Sequence, residues 1–175
     1  MVNHDLKCIF IHIIKTGGVS IATGLKMRDK QCHFKASQIK SIVGDEAWKT
    51  YFKFTFIRNP WDKMVSSYHF NHRKWVPEGT TFGEYIQAWG NGQQITRFPP
   101  QHSDYLDEEI DFIGRFENLN QDYNYILKQI GLPSQELNHL NQSKHKHYKD
   151  YYTEQTKNIV MNKFSKDIDI WGFKY

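Results

Sequence analysis

Apolar residues occur in short runs separated by polar, glycine-bearing stretches, and the runs alternate between two periods. Leu6 to Ile13 (LKCIFIHI) is rich in β-branched residues, lacks helical spacing and is followed by the pair Gly17–Gly18; it reads as a buried strand. Val19 to Met27 then places Val19, Ala22 and Leu25 on one side of a helix. Residues 31–34 suit a short second strand, and Ala36 to Val43 a short helix with Ile39, Ile42 and Val43 on one face. Phe52 to Ile57 (FKFTFI) is a further core strand running into a helix from about Trp61 to Asn71, with Asn59 as its cap and Pro60 in its first turn. Beyond it the pattern gives a loop at 77–80, a helix over Phe82 to Trp89, an irregular stretch over 92–108 and a strand over Ile110 to Ile113. A helix over Glu117 to Ile130 is stopped by Gly131 and Pro133, a polar, basic stretch occupies 138–150, and a last helix covers Thr153 to Phe164.

Strands alternating with helices predict a three-layer α/β fold with a mostly parallel central sheet flanked by helices. With no internal repeat and no linker, residues 1–175 are expected to form a single domain, and 175 residues are enough for one core. Ligands of such folds bind at the carboxyl ends of the strands. Two glycine- or arginine-bearing turns, at Lys15 and at Arg58, fall there.

Composition narrows the function classes. The chain is 39% hydrophobic and 15% aromatic with a formal net charge of +4, which permits an anionic ligand. No long Lys/Arg block marks it for nucleic acid. Two cysteines, Cys8 and Cys32, are too few for a disulfide framework or a four-thiolate zinc site and read as buried thiols. No stretch approaches the roughly 18 apolar residues of a membrane span, and no secretory leader follows Met1, so a cytoplasmic chain without a membrane segment is expected.

The first turn, KTGGVS at Lys15–Ser20, gathers chemistry suited to a phosphate or sulfate. Gly17 and Gly18 let backbone N–H groups approach an anion at the start of a helix, Lys15 adds a cation, and Thr16 and Ser20 add hydroxyls. The four letters KTGG also serve as a plain strand-to-helix turn with a solvent lysine. They are not a Walker A loop, which has its lysine after the glycines. In the second turn Arg58 offers a planar fork for an anion, and Ser66 follows eight residues on with Ser67 beside it. The alternative is an arginine paired with Asp62.

"FIHIIKTGG" and "FKFTFIRNPWDKMVSSY" together resemble the two nucleotide-binding signatures of the sulfotransferases that use 3′-phosphoadenosine 5′-phosphosulfate (PAPS). Within them, the chain is similar to the group of carbohydrate O-sulfotransferases and their small bacterial relatives. "DFIGRFENLNQDY" and "SKHKHYKDYY" resemble later stretches, so the likeness runs from about Lys7 to Phe173. It implies a P-loop-like fold, PAPS as donor with PAP as product, and no metal. By position it implies that Lys15, Thr16, Gly17, Gly18, Val19 and Ser20 hold the 5′-phosphosulfate, and that Arg58 and Ser66 hold the 3′-phosphate. Ser143 and Lys144 would close over that phosphate, or simply belong to a solvated loop. Ile14 departs from the family, which usually has proline there, and a less stiff loop is the expected consequence.

Sulfuryl transfer needs a cation where charge builds on the leaving oxygen, for which Lys15 is the candidate, and a base for an acceptor hydroxyl. Of nine histidines, the resemblance favours His33, between the two motifs; its plain alternative is a surface histidine before a helix. His12 reads as packed or hydrogen-bonded, and His69 and His102 are the reserves. The acceptor, on a carbohydrate or small molecule, would be shaped by about Arg73 to Asp107, where Trp75, Tyr85, Trp89 and Tyr105 serve equally as stacking platforms or as core. A small P-loop kinase, with Asp111 as its Mg²⁺ ligand, and an inactive sulfotransferase-like nucleotide-binding protein are the alternatives. Oligomeric state is not legible.

Overall fold

The computed structural model describes residues 1–27, 33–72, 75–95, 98–137 and 145–175. The chain divides into two compact units, Met1–Arg58 with His102–Asn141, and Asn59–Gln101 with Gln142–Tyr175.

The first unit is α/β. Its sheet has the order β1-β2-β3-β4, with β1 (Val2–Asn3) antiparallel to β2 (Cys8–Ile11), and β2, β3 (Phe52–Ile57) and β4 (Phe112–Arg115) mutually parallel. Helices α1 (Gly18–Gly24), α2 (Ala36–Val43), α3 (Asp45–Thr50) and α6 (Leu119–Gln129) flank it. Alternate β2 residues serve two clusters. Cys8 and Phe10 pack with Ile21 of α1, Leu25 just after it, and Tyr123 and Ile126 of α6, while Ile9 and Ile11 pack with Ala36, Ile39 and Trp48 of α2 and α3. Burial on both faces is why β2 is apolar without alternation. Burial also pushes the Cys8 thiol up to about 11, so this thiol is inert.

The amino-terminal ends of the strands are tied by charge. Lys53 Nζ lies 2.8 Å from the Asp111 carboxylate and 3.1 Å from the Tyr51 carbonyl, and the same carboxylate accepts the Lys53 backbone N–H at 2.7 Å. The register pairs Phe54 with Phe112, so Asp111 stands at the start of β4. At the other end, Ile57 pairs with Arg115, and the residues that follow β2, β3 and β4 are His12, Arg58 and Phe116.

The second unit is helical: α4 (Pro60–His72), α5 (Phe82–Gly90), α7 (Glu154–Lys163) and α8 (Ser165–Trp171). Asn59 caps α4 as expected, its Oδ1 accepting the Trp61 N–H at 3.1 Å. Thr81 and Thr153 cap α5 and α7 through paired side-chain and backbone bonds. Lys63 is fully buried, donating to the Pro100 carbonyl at 2.8 Å with Nζ over the Phe164 ring.

Several expected boundaries move. The strand expected over Leu6 to Ile13 is β2, Cys8–Ile11, because Lys7 takes φ 46 and His12 begins the turn, and the short β1 before it was not expected. Residues 33–35 form no strand, and the rest of the expected strand at 31–34 lies outside the described residues. The strand expected over Ile110 to Ile113 is Phe112–Arg115. No helix among the described residues is long and apolar enough to cross a membrane.

Candidate functional site

The turn after β2 is shaped by its backbone. Lys15 takes φ 69 and Gly17 φ 81, both left-handed, and the Thr16 hydroxyl closes the turn by donating to the Ile13 carbonyl at 2.8 Å. A Cβ on Gly17 would press on Leu119 at 3.2 Å and Phe116 at 3.3 Å. A Cβ on Gly18 would stand 2.0 Å from the His12 ring. Glycine is therefore required at both positions, at the first by φ and at the second by the imidazole laid against its backbone. Helix α1 has seven residues, so the loop's own groups must supply most of any positive field.

His12 is 4% exposed, stacked on Phe10 at 5.5 Å and edge-on to His33 at 4.5 Å. Burial pushes its pKa down to about 3, with His33 and the amino terminus adding to the shift, and its Nδ1 has no hydrogen-bond partner among the described residues. It is a packed, neutral ring, as read from the sequence. Its carbonyl lies 3.1 Å from His33 Nδ1. A carbonyl can only accept, so Nδ1 of His33 is the donor in this contact, and in the neutral ring that leaves the lone pair on Nε2, the form a general base needs.

Lys15 and Arg58, 43 residues apart in the chain, meet here: Arg58 Nη1 donates to the Lys15 carbonyl at 3.2 Å. The Arg58 guanidinium carbon lies 3.9 Å from the centre of the Phe116 ring, and the Arg58 backbone N–H donates to His102 Nε2 at 3.2 Å. His102 is fully buried, and with Nε2 committed as an acceptor it is poorly placed to take a substrate proton. Val19 is half-buried and Ser20 buried, both on α1.

Ser66 belongs to the second unit, on α4, and is 8% exposed. In that unit His69 Nε2 pairs with the Tyr151 hydroxyl at 2.9 Å and its ring stacks on His145. Tyr85 is fully buried and shares its hydroxyl with Ser67 and Asn71, and Tyr105 is buried in the first unit's core, whereas Trp75 is exposed. Ser143, Lys144 and Cys32 lie outside the described residues. Asp111 stands at the opposite end of the sheet from Lys15, engaged by Lys53, so it is not placed to serve a kinase's metal at this loop. Among the described residues no group of three or more His, Cys, Asp or Glu side chains is arranged to hold a metal ion.

Sequence reasoning missed Phe116 and the acceptor role of His102. The signal for Phe116 was topological, since it follows the third parallel strand as Arg58 follows the second.

Comparison with known proteins agrees with the motifs. The model of the sulfotransferase family matches residues 1–174. An Archaeoglobus fulgidus protein described only as uncharacterized is 35% identical over 103 residues, covering 57% of this chain and 84% of that protein. No solved structure matches the chain.

Proposed function

The chain belongs to the sulfotransferase family, and from that premise we propose that it moves a sulfuryl group from PAPS to an acceptor hydroxyl on a carbohydrate or small molecule, on a three-layer, P-loop-like single domain. The observation that carries this reading is the hydrogen bond from Arg58 to the Lys15 carbonyl, which joins the two signature turns at one sheet edge. The turn's lysine, its serine hydroxyl and its two glycines are groups suited to an anionic nucleotide, while the Thr16 hydroxyl is spent on the Ile13 carbonyl.

Bound at this edge, PAPS supplies an activated sulfuryl group and leaves as PAP. Lys15, Thr16, Gly17, Gly18, Val19 and Ser20 hold the 5′ end, and Lys15 Nζ balances charge on the departing phosphate oxygen. The family resemblance of the second turn assigns the 3′-phosphate to Arg58 and Ser66, and that of the later stretch adds Ser143 and Lys144. His33 takes the acceptor's proton at Nε2, because Nδ1 is committed to the His12 carbonyl. Holding two anionic groups and one hydroxyl in line accounts for the rate, by analogy with phosphoryl transfer.

The test is incubation with PAPS and a panel of sugars, phenols and amino alcohols, followed by mass spectrometry. The expected result is a product heavier by one SO₃, formed without divalent metal and lost in Lys15→Ala. Tight PAP binding with no product from any acceptor would favour the inactive nucleotide-binding reading, to which Ile14 lends weight. Thermal stabilisation by Mg·ATP but not by PAP would reject the donor assignment.

A further inference from the structure

If donor binding follows the reading above, on which this inference rests, Arg58 is assigned to the 3′ end of the nucleotide. Its side chain nevertheless engages the turn assigned to the 5′ end. Arg58 Nη1 donates to the carbonyl of Lys15, a residue whose φ of 69 places it in a backbone well that disfavours any residue with a Cβ. A charged donor on a carbonyl is the stronger class of hydrogen bond, and it holds that carbonyl in the orientation the left-handed turn requires. The guanidinium is itself held, with its carbon 3.9 Å from the centre of the Phe116 ring. Phe116 also backs the turn, since a Cβ on Gly17 would lie 3.3 Å from it. The base of the arginine is fixed where its N–H meets His102.

We propose that Arg58, with Phe116 as the plate beneath it, is a positioning residue for the Lys15–Gly17 turn, so that recognition of the 5′-phosphate depends on an arginine assigned to the other end of the ligand. A lysine at 58 would keep the charge but lose the planar fork that can face an anion while still holding the Lys15 carbonyl. Phe116 carries no charge and enters only through packing and its π face.

The experiment measures, by calorimetry on the full chain, the affinities of adenosine 3′,5′-bisphosphate and adenosine 5′-monophosphate, the second lacking any 3′-phosphate. For Arg58→Lys the expected result is a loss of about fivefold or more for the monophosphate as well as a larger loss for the bisphosphate. Phe116→Leu should weaken the monophosphate similarly, and Phe116→Tyr, which keeps the π face, should stay within about twofold of the parent. Should Arg58→Lys fail to fold, the Phe116 pair decides alone. Monophosphate affinity unchanged in Arg58→Lys, or Phe116→Leu indistinguishable from Phe116→Tyr, overturns the inference while leaving the donor assignment intact. A parent protein that holds the bisphosphate but not the monophosphate also overturns it, because the 5′ end would have no grip to lose. A parent that binds neither nucleotide rejects the donor assignment itself.

Discussion

Gly18→Ala probes how tightly the turn after β2 is packed. An alanine Cβ would lie 2.0 Å from both Cδ2 and Nε2 of His12 and 2.9 Å from Cε1, so either the ring or the turn must move. The ring has little room: it is stacked on Phe10 and edge-on to His33, and it is 4% exposed. Overpacking of this kind costs about 1–3 kcal/mol, and alanine's better helix propensity at the first residue of α1 offsets up to about 1 kcal/mol. The net expectation is a loss of about 1–2 kcal/mol, read as a fall of roughly 0.5–1 M in the urea midpoint. The decisive measurement is the cycle with His12→Ala. Removing the imidazole removes the three nearest atoms, so Gly18→Ala should be neutral or mildly stabilising in that background, a coupling of at least about 1 kcal/mol. Equal losses in both backgrounds, or a Gly18→Ala protein as stable as the parent, would refute the packing argument.

Four further outcomes are expected. Because burial holds the His12 pKa at about 3 against an ordinary 6.5, the unfolded chain binds the extra proton in that window. The associated stability is full above pH 6.5 and is lost progressively toward pH 3, by on the order of 2 kcal/mol at pH 5; urea midpoints at pH 7 and 5 should show this, and His12→Phe should flatten it. His33→Ala should lower turnover by roughly 10²-fold or more while sparing nucleotide affinity, and wild-type-like turnover would move the base elsewhere. Asp111→Ala should destabilise by about 1–3 kcal/mol by stranding buried Lys53, yet leave PAP affinity unchanged; a loss of affinity would contradict its placement at the far end of the sheet. Lys144→Ala should weaken PAP more than adenosine 5′-monophosphate, and equal losses would remove Lys144 from the 3′-phosphate site.

Ala36–Val43 and Phe52–Ile57 were readable to both ends, because helical spacing and continuous burial are local properties of the chain. The strand β4 was read two residues early: Ile110 looks like strand, but Asp111 spends its carboxylate and N–H on Lys53 before the ladder begins. Helix α3, opening at Gly44 with φ 83, and helix α8, following Phe164, were not anticipated, since each is short and depends on packing for its existence. In the candidate site, Lys15, Gly17, Gly18 and Arg58 stood out because glycines and cations at strand ends carry meaning on their own. The contact of His12 with His33, and those of His102 and Phe116 with Arg58, did not, because they depend on how segments tens of residues apart come together, which no local pattern encodes.

The parallel arrangement of β2, β3 and β4 gives the sheet two rims with separate duties. The Lys53–Asp111 ion pair fastens one rim, and His12, Arg58 and Phe116 crown the other. A library that diversifies the crowned rim would therefore leave the fastening untouched, and a substitution at the fastening would leave the crowned rim as it is. Stability added at the fastening can offset what is lost when the crowned rim, whose own packing also bears on stability, is diversified.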